Sequence, residues 1–392
     1  MRSSLIQVAK LGGSCFADIS AMRRCAEKIS QMHSPVIIVS AMRGHTDNLL
    51  ARCDEAGIED PFERSAVLAS GEQVSAALFA GLLQQCGRNA RSVQAWQIGI
   101  ITEGDPLVAH PKQINRHKLM EMVSRGIIPV ICGFQGVSGD RLTTFGRGGS
   151  DTSAIFVAAA LGMSECILYK DVPGVYIADP RIISQKVIKT ELSYAEMAEA
   201  SSRGAKVLDV RAVDEARRHN IQIHIKHIFS DQEGTVIHEK KSSSESRVIA
   251  HVIDQQLVSI ETSDIDGVSA WLSDIESTGV QPRVVAFQKK GSNFSWRIAL
   301  QSKKEIKHFP QSVISHKVKS GLVGVSVVGW SVRDSSMSLM SILSNLQKNS
   351  IECHDFSLSD MSVTFWVDEI NLEHVVQSLH AHFTSSDALQ SA

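Results

Sequence analysis

Between residues 5 and 228, short runs of apolar and β-branched residues alternate with stretches whose apolar positions recur at helical spacing. The short runs fall at 5–9, 36–40, 127–132, 166–169 and 221–228, and the helical patterns at 21–32, 73–86, 152–161 and 194–201. Strands spaced by helices predict an α/β fold with a largely parallel central sheet covered on both faces, a three-layer domain. The stretch 152–161 is nearly all apolar, with Ala154, Ile155, Phe156 and Val157 in succession. That predicts a buried helix.

The pattern changes past residue 240. Lys240-Lys241-Ser242-Ser243-Ser244-Glu245-Ser246-Arg247 reads as a linker or exposed edge. Beyond it a smaller format occurs twice: strand 257–261, helix 268–277 and strands 284–288 and 296–300, then strand 324–328, helix 337–347 and strands 352–358 and 362–367. The two copies are offset by roughly 70 residues, which favours a duplicated βαββ module over one large domain. A last helix carries Leu372, Val375, Val376, Leu379 and Phe383 on one face. The expected division is 1–240 for the first domain, with 250–320 and 321–392 for the two modules.

Length agrees, since 392 residues exceed what one core usually holds. A formal net charge of -2 and the lack of a basic block argue against nucleic acid as a partner. The pairs Lys240-Lys241 and Lys289-Lys290 read as solvated loops. The seven cysteines show no CxxC pair or zinc spacing, so buried free thiols in a reducing cytoplasm are expected. The first strand begins too early to leave room for a signal peptide, and no stretch reads as a membrane span.

Chemistry concentrates at the ends of the predicted strands. Lys10-Leu11-Gly12-Gly13-Ser14 follows the first, where two glycines let backbone N–H groups approach a phosphate and Lys10 adds a cation. Taken alone, it is better explained as an ordinary strand-to-helix turn with a surface lysine. Ser40-Ala41-Met42-Arg43-Gly44-His45-Thr46-Asp47 follows the second strand and fits either ligand contact or a helix cap at Thr46 or Asp47. Ser70-Gly71-Glu72-Gln73 is read as opening an apolar helix, with Glu72 either complementing the helix dipole or pairing with a substrate ammonium.

The turn Thr143-Thr144-Phe145-Gly146-Arg147-Gly148-Gly149-Ser150-Asp151-Thr152-Ser153 is different in kind. Three glycines and seven polar side chains crowd the start of a helix expected to be buried, where one cap at Ser150 or Asp151 would suffice. The surplus points to a ligand. The loop Lys170-Asp171-Val172-Pro173-Gly174-Val175-Tyr176-Ile177-Ala178-Asp179-Pro180-Arg181 carries charge, a tyrosine and two turn signals at a strand end, which suits a nucleotide wall. Ser202-Arg203-Gly204-Ala205-Lys206 ends a helix with a glycine cap and a lysine able to reach phosphate.

In this order the segments resemble the aspartokinase family of the amino-acid-kinase superfamily, over residues 8 to about 236. Trp96-Gln97-Ile98-Gly99-Ile100 and Gly133-Phe134-Gln135-Gly136 also look like family segments, and the tail looks like paired regulatory ACT domains of βαββαβ type. The resemblance implies a cytoplasmic, monofunctional enzyme without a fused dehydrogenase. It would move the ATP γ-phosphoryl to the side-chain carboxylate of L-aspartate, with Mg2+ entering on the nucleotide. A carboxylate nucleophile is already ionised, so alignment and charge compensation are needed rather than a base.

By the family pattern, Lys10 and the backbone of Gly12 and Gly13, beside Ser14, hold the transferring phosphoryl; Asp151 orients lysines and Lys206 stabilises phosphate charge. Arg147, on the turn with Gly148, Gly149 and Ser150, grips the α-carboxylate of aspartate, and Glu72 its ammonium, with Ser40 and Thr46 nearby. Lys170, Asp171, Tyr176 and Arg181 line the nucleotide. The sequence departs from the pattern at Ser14-Cys15, at Lys170 where threonine is usual, and at Asp209-Val210 before Arg211. Ser336-Met337, Gly279-Val280-Gln281 and Ser350-Ile351 lack residues usual in the regulatory modules. These modules are therefore expected to keep a dimerising role while an amino-acid effector site is altered or lost. Two other readings stand beside this one: a kinase of another small amino-acid carboxylate, and a non-catalytic amino-acid sensor.

Overall fold

The computed structural model describes residues 6–240, 247–277, 280, 282–302, 309–310, 312–329 and 336–390. The linker residues 241–246, with Gly279 and Gln281, lie outside them. The chain forms two compact units. The first holds the N-terminal part through Val175, then Ile188–Ser201 and the stretch from Lys206. The second holds Tyr176–Val187, Ser202–Ala205 and the C-terminal part.

The first unit opens with β1 (Gln7–Leu11), α1 (Ile19–Ser30), β2 (Pro35–Val39), α2 (His45–Glu55), α3 (Pro61–Gln85) and β3 (Ala90–Val93). There follow β4 (Ile101–Glu103), β5 (His110–Gln113), α4 (Arg116–Ser124), β6 (Ile128–Cys132), β7 (Gln135–Ser138) and β8 (Arg141–Thr144). Next come α5 (Gly149–Leu161), β9 (Glu165–Lys170), the short pair β10 (Val175–Tyr176) and β11 (Ile188–Lys189), β12 (Glu191–Ser193) and α6 (Tyr194–Ser202), of which Tyr176 and Ser202 count with the second unit. Then α7 (Val210–His219), β13 (Gln222–His227) and β14 (Thr235–His238) complete it.

Eight strands make the main sheet, in the order β12-β14-β13-β9-β1-β2-β6-β3. From β13 to β3 every pairing is parallel. β2 and β6 are buried along their whole length, as strands covered on both faces must be. The chain leaves β1 toward β2 on one side, and β9 returns on the other. The two therefore border the topological switch point, where α/β sheets bind ligands at their carboxyl ends. A small sheet, β5-β4-β7-β8, lies beside the main one in sequence.

Two expectations fail at α3. The helix begins at Pro61, because the Asp60 side chain accepts from the N–H groups of Phe62 and Glu63 and Pro61 suits the first helical position. Ser70-Gly71-Glu72 is thus interior rather than an opening. At 25 residues, α3 is also long and apolar enough, by length and composition, to cross a membrane. Leu68, Ala69, Ala76, Phe79, Ala80, Leu82 and Leu83 are nevertheless buried in the unit, with Phe79 packed on Phe16 at 5.2 Å between ring centroids.

The second unit contains β15 (Val248–Thr262), α8 (Ile265–Ser277), β16 (Pro282–Lys290), β17 (Asn293–Gln301), β18 (Val313–Val328), α9 (Ser336–Lys348), β19 (Cys353–Leu358), β20 (Ser362–Asp368) and α10 (Leu372–Gln390). Both expected copies are present, and they share one antiparallel sheet, β16-β17-β15-β18-β20-β19. Its centre is the long pair β15–β18, broken by bulges near Val252 and Gln255. Lys289 and Lys290 end β16 rather than sitting in a loop. α9 and α10 cover the core of the second copy through Ile342, Leu346, Val375, Val376, Leu379 and Phe383.

Candidate active site

Lys10 and Lys170 sit near the carboxyl ends of adjacent strands, with Lys10 opposite Leu168 in the register. Side chains alternate along a strand, so Lys170, two residues past Leu168, shares the face of Lys10. The first turn of α5 meets that face and places Asp151 between the lysines. Its Oδ1 is 2.7 Å from the Lys10 ammonium and its Oδ2 is 2.6 Å from that of Lys170. Burial alone would raise the Asp151 pKa, but the two cations hold it down, to about 2. Burial pushes the Lys170 pKa down, against the pull of Asp151.

The turn before α5 is not capped by Ser150 or Asp151 as expected. Gly148 is the N-cap, in the left-handed region at φ 69°, with no side-chain cap. Its packing explains the choice, because a Cβ there would lie 2.3 Å from that of Asp209. Asp209 caps α7 by accepting from the Arg211 N–H, and its carboxylate also pairs with Arg211 Nε at 3.1 Å. The Arg211 guanidinium then donates to the carbonyls of Phe145 at 2.9 Å and Arg147 at 2.5 Å. The Arg147 side chain is left exposed on a braced turn. At the neighbouring loop, a Cβ on Gly133 would meet Ser150 Cβ at 2.9 Å, so the turn closes tightly on β6.

At the end of β1, the Gly12 N–H donates to Tyr169 O at 3.3 Å, stitching β1 to β9. It is thus committed to the fold, which corrects the expectation that both glycine amides face a phosphate. Gly13 opens the short 3-10 turn Gly13–Phe16, where N-terminal amides lack helical acceptors. A Cβ on Gly13 would come within 2.8 Å of Ala41 O.

Glu72, 3% exposed, reaches this region from the interior of α3. Its Oε1 accepts from the Ala41 N–H at 2.9 Å, and its buried Oε2 has no partner. Gly71 makes that approach possible, since a Cβ there would lie 2.8 Å from Ala41 Cβ. Burial pushes the Glu72 pKa up to about 8, against the Ala41 hydrogen bond and Lys10. Ser40 and Thr46 are half-buried nearby in sequence, but α2 is capped by Gly44 in a left-handed conformation, not by Thr46 or Asp47. Just beyond Lys170, Asp171 is exposed and lies 3.5 Å from Arg43.

The profile of the amino acid kinase family matches residues 6–227. The aspartokinase of Rickettsia felis is 30% identical across 97% of this chain and 99% of its own length. The chain belongs to the aspartokinases of the amino acid kinase family. The Mycobacterium tuberculosis aspartokinase is 41% identical over 237 residues, 59% of this chain and 56% of that protein. Among solved structures, E. coli aspartokinase III in complex with aspartate and ADP has a TM-score of 0.76 at 21% identity, covering 96% of this chain and 99% of that one. Clostridium acetobutylicum aspartate kinase gives 0.73 at 20%, covering 97% and 100%. Both share the fold.

Within this family frame, the structure joins Lys10, Asp151 and Lys170 directly and sets Glu72, Gly13 and the Gly148–Ser150 turn around the same strand ends. Lys206 is exposed in the first unit and forms no ion pair with Asp151. Tyr176 and Arg181 belong to the second unit, where Arg181 forms a two-pronged pair with Asp179. Sequence reasoning missed the brace formed by Asp209 and Arg211. Its signal was present, because Asp-x-Arg at a helix start is a capping pattern.

Proposed function

We propose that this protein is an aspartate kinase, transferring the γ-phosphoryl of ATP to the side-chain carboxylate of L-aspartate to give 4-phospho-L-aspartate and ADP. The observation that carries the kinase reading is the buried Lys10–Asp151–Lys170 cluster at the switch point between β1 and β9. A buried carboxylate holding two ammonium groups presents positive charge where the phosphoryl group must pass between two anions. The aspartate carboxylate attacks γ-phosphorus, the bond to the bridging oxygen breaks, and ADP leaves with that electron pair. No general base is needed, because the acceptor carboxylate is already ionised.

In this reading Lys10, held by Asp151, and the Gly13 amide beside Ser14 contact the transferring group. Lys206 adds charge from its exposed position. Arg147, free at its tip on a rigid turn with Gly148, Gly149 and Ser150, takes the α-carboxylate. Glu72 takes the ammonium through its unpartnered oxygen, with Ser40 and Thr46 beside it, and Asp171 serves the nucleotide. Both Asp151 oxygens are taken by lysines, so Mg2+ would be held by phosphate oxygens and water, supplying charge neutralisation. Among the described residues, the one three-residue group with metal-ligand geometry, Glu352, His354 and Asp368, is in the second unit.

We assign the second unit a regulatory and self-associating role, with two ACT-like copies at about 250–320 and 321–392. Incubation with ATP, Mg2+ and L-aspartate, followed by hydroxylamine trapping, should give aspartyl hydroxamate. A strong hydroxamate signal with another acid and none with aspartate would overturn the substrate assignment. A sizing column should show a dimer or larger, and titration with lysine and threonine should leave activity largely intact. A full inhibition curve at micromolar to millimolar effector would refute that last point.

A further inference from the structure

The charges of the cluster do not balance. Asp151 contributes one negative charge against two ammonium groups, and the side chains of Lys10, Asp151 and Lys170 are only 6%, 5% and 14% exposed. One lysine would suffice to neutralise Asp151. A second leaves a buried cation without a full counter-charge, and burial accordingly pushes the Lys170 pKa down; an arriving anion favours its charged form.

The groups around it do not supply that charge. Glu72 interacts with Lys10, but burial raises its pKa to about 8, so at neutral pH it is mostly protonated. The Cys15 thiol is likewise pushed up by burial and stays neutral. Asp171 follows Lys170 directly but is exposed and drawn to Arg43 at 3.5 Å. The missing component is an anion brought in from outside.

We propose that Lys170 is the second phosphoryl-compensating cation of this enzyme, paired with Lys10 across Asp151. This rests on the kinase reading above and goes beyond it, since it assigns to a strand-end lysine the charge role that the family pattern gave to Lys206. Lys170 transfers no proton. It lies at the carboxyl end of β9, held by the same carboxylate that holds Lys10, and its ammonium compensates the negative charge that grows on the γ-phosphoryl oxygens.

The test compares the wild-type full chain with Lys170→Met, Lys170→Arg and Lys170→Thr. Readouts are melting temperature, hydroxamate kinetics, and calorimetric affinities for ADP and for imido-ATP without aspartate. Lys170→Met should lower kcat by about 100-fold, the usual effect of removing one preorganised donor, with the aspartate KM within twofold. Its affinity for imido-ATP should fall about tenfold more than its affinity for ADP, because the lost charge serves the γ-phosphate. Lys170→Thr should behave like Lys170→Met, and Lys170→Arg should keep more of both properties.

Unchanged kcat and an unchanged imido-ATP to ADP ratio in Lys170→Met would overturn the proposal. So would a lower melting temperature with that ratio intact, which marks a purely structural pair. If Lys170→Met does not fold, the ratio in Lys170→Thr decides: a value equal to wild type although the charge is gone refutes the role. The nucleotide affinities need no aspartate, so they decide the matter even if the wild type fails to make aspartyl hydroxamate.

Discussion

Glu72→Gln tests the proposal that the ionisation of this buried carboxyl responds to the substrate ammonium. Glutamine keeps an oxygen to accept the Ala41 N–H, so the packing of α3 on the loop after β2 survives and only the charge goes. With its pKa at about 8 in the free protein, Glu72 is roughly one-tenth ionised at pH 7. Aspartate, bringing an ammonium to the unpartnered Oε2, binds the ionised form, so its apparent affinity is reduced by that fraction. Wild-type affinity should therefore rise about tenfold per pH unit from pH 6 to 7 and level off near pH 8. Calorimetry in buffers of different ionisation heat should show close to one proton released per aspartate bound at pH 7. Glu72→Gln should weaken aspartate binding by about 10- to 100-fold at pH 8, as expected for losing a charge-assisted hydrogen bond, and should abolish the pH slope. The sign carries over to stability. The folded pKa lies above the ordinary value of 4.5, so stability from protonated Glu72 is full below that value. It is lost as pH rises toward 8, and the variant should not show that loss. A variant that binds aspartate within twofold of wild type and with the same pH slope would refute the reasoning.

Asp151→Asn should lower the melting temperature markedly, since leaving two buried ammonium groups unpaired costs about 3–5 kcal/mol. Because its folded pKa is depressed to about 2 from 3.8, the wild-type contribution is present above pH 4 or so and is lost as pH falls toward 2; acid unfolding curves of the two proteins should converge there. Lys10→Ala should chiefly lower kcat, whereas Arg147→Ala should chiefly raise the aspartate KM with an unchanged melting temperature, since its exposed guanidinium supports no packing; steady-state kinetics separates them, and the reverse split refutes both roles. Gly148→Ala should destabilise more than Gly139→Ala. Both glycines have positive φ, but only at Gly148 would the Cβ collide, with Asp209 at 2.3 Å, while Gly139 has open space; equal shifts on thermal melting would refute the bracing argument.

The parallel half of the fold could be read from the chain because β1, β2, β6, β9 and β13 are compact apolar runs set apart by glycine and polar turns. β4, β5, β7 and β8 were missed, at three or four residues each too short for a period to register. The first part of β18 was missed for another reason: from Ile314 to Lys317 its side chains are exposed and polar residues dominate, so no apolar face marks the strand. At α3 the misreading mattered for chemistry. Ser70-Gly71-Glu72 looks like a start because small and acidic residues interrupt the apolar pattern, yet the true start is the Asp60-Pro61 cap ten residues earlier. Moving Glu72 into the helix interior turns a residue that would complement a dipole into a buried acid.

The partners of Asp151 were half legible. Its placement after a glycine turn marked it as functional, but which lysines it holds depends on β9 returning beside β1, a long-range pairing that no local pattern encodes. Once that pairing is known, the site has two buried carboxyl groups with opposite behaviour. Asp151 is ionised throughout the physiological range because two cations hold it so, while Glu72, with one amide donor and an empty oxygen, is mostly protonated at neutral pH. In the proposed function one carboxyl fixes the phosphoryl-binding charge before any ligand arrives, and the other answers to the acceptor. An N-acylated acid would offer Glu72 no cation and leave its second oxygen unpaired, so the proposed role predicts that the residue that favours free aspartate disfavours its acylated relatives, which the hydroxamate assay with N-acetylaspartate checks.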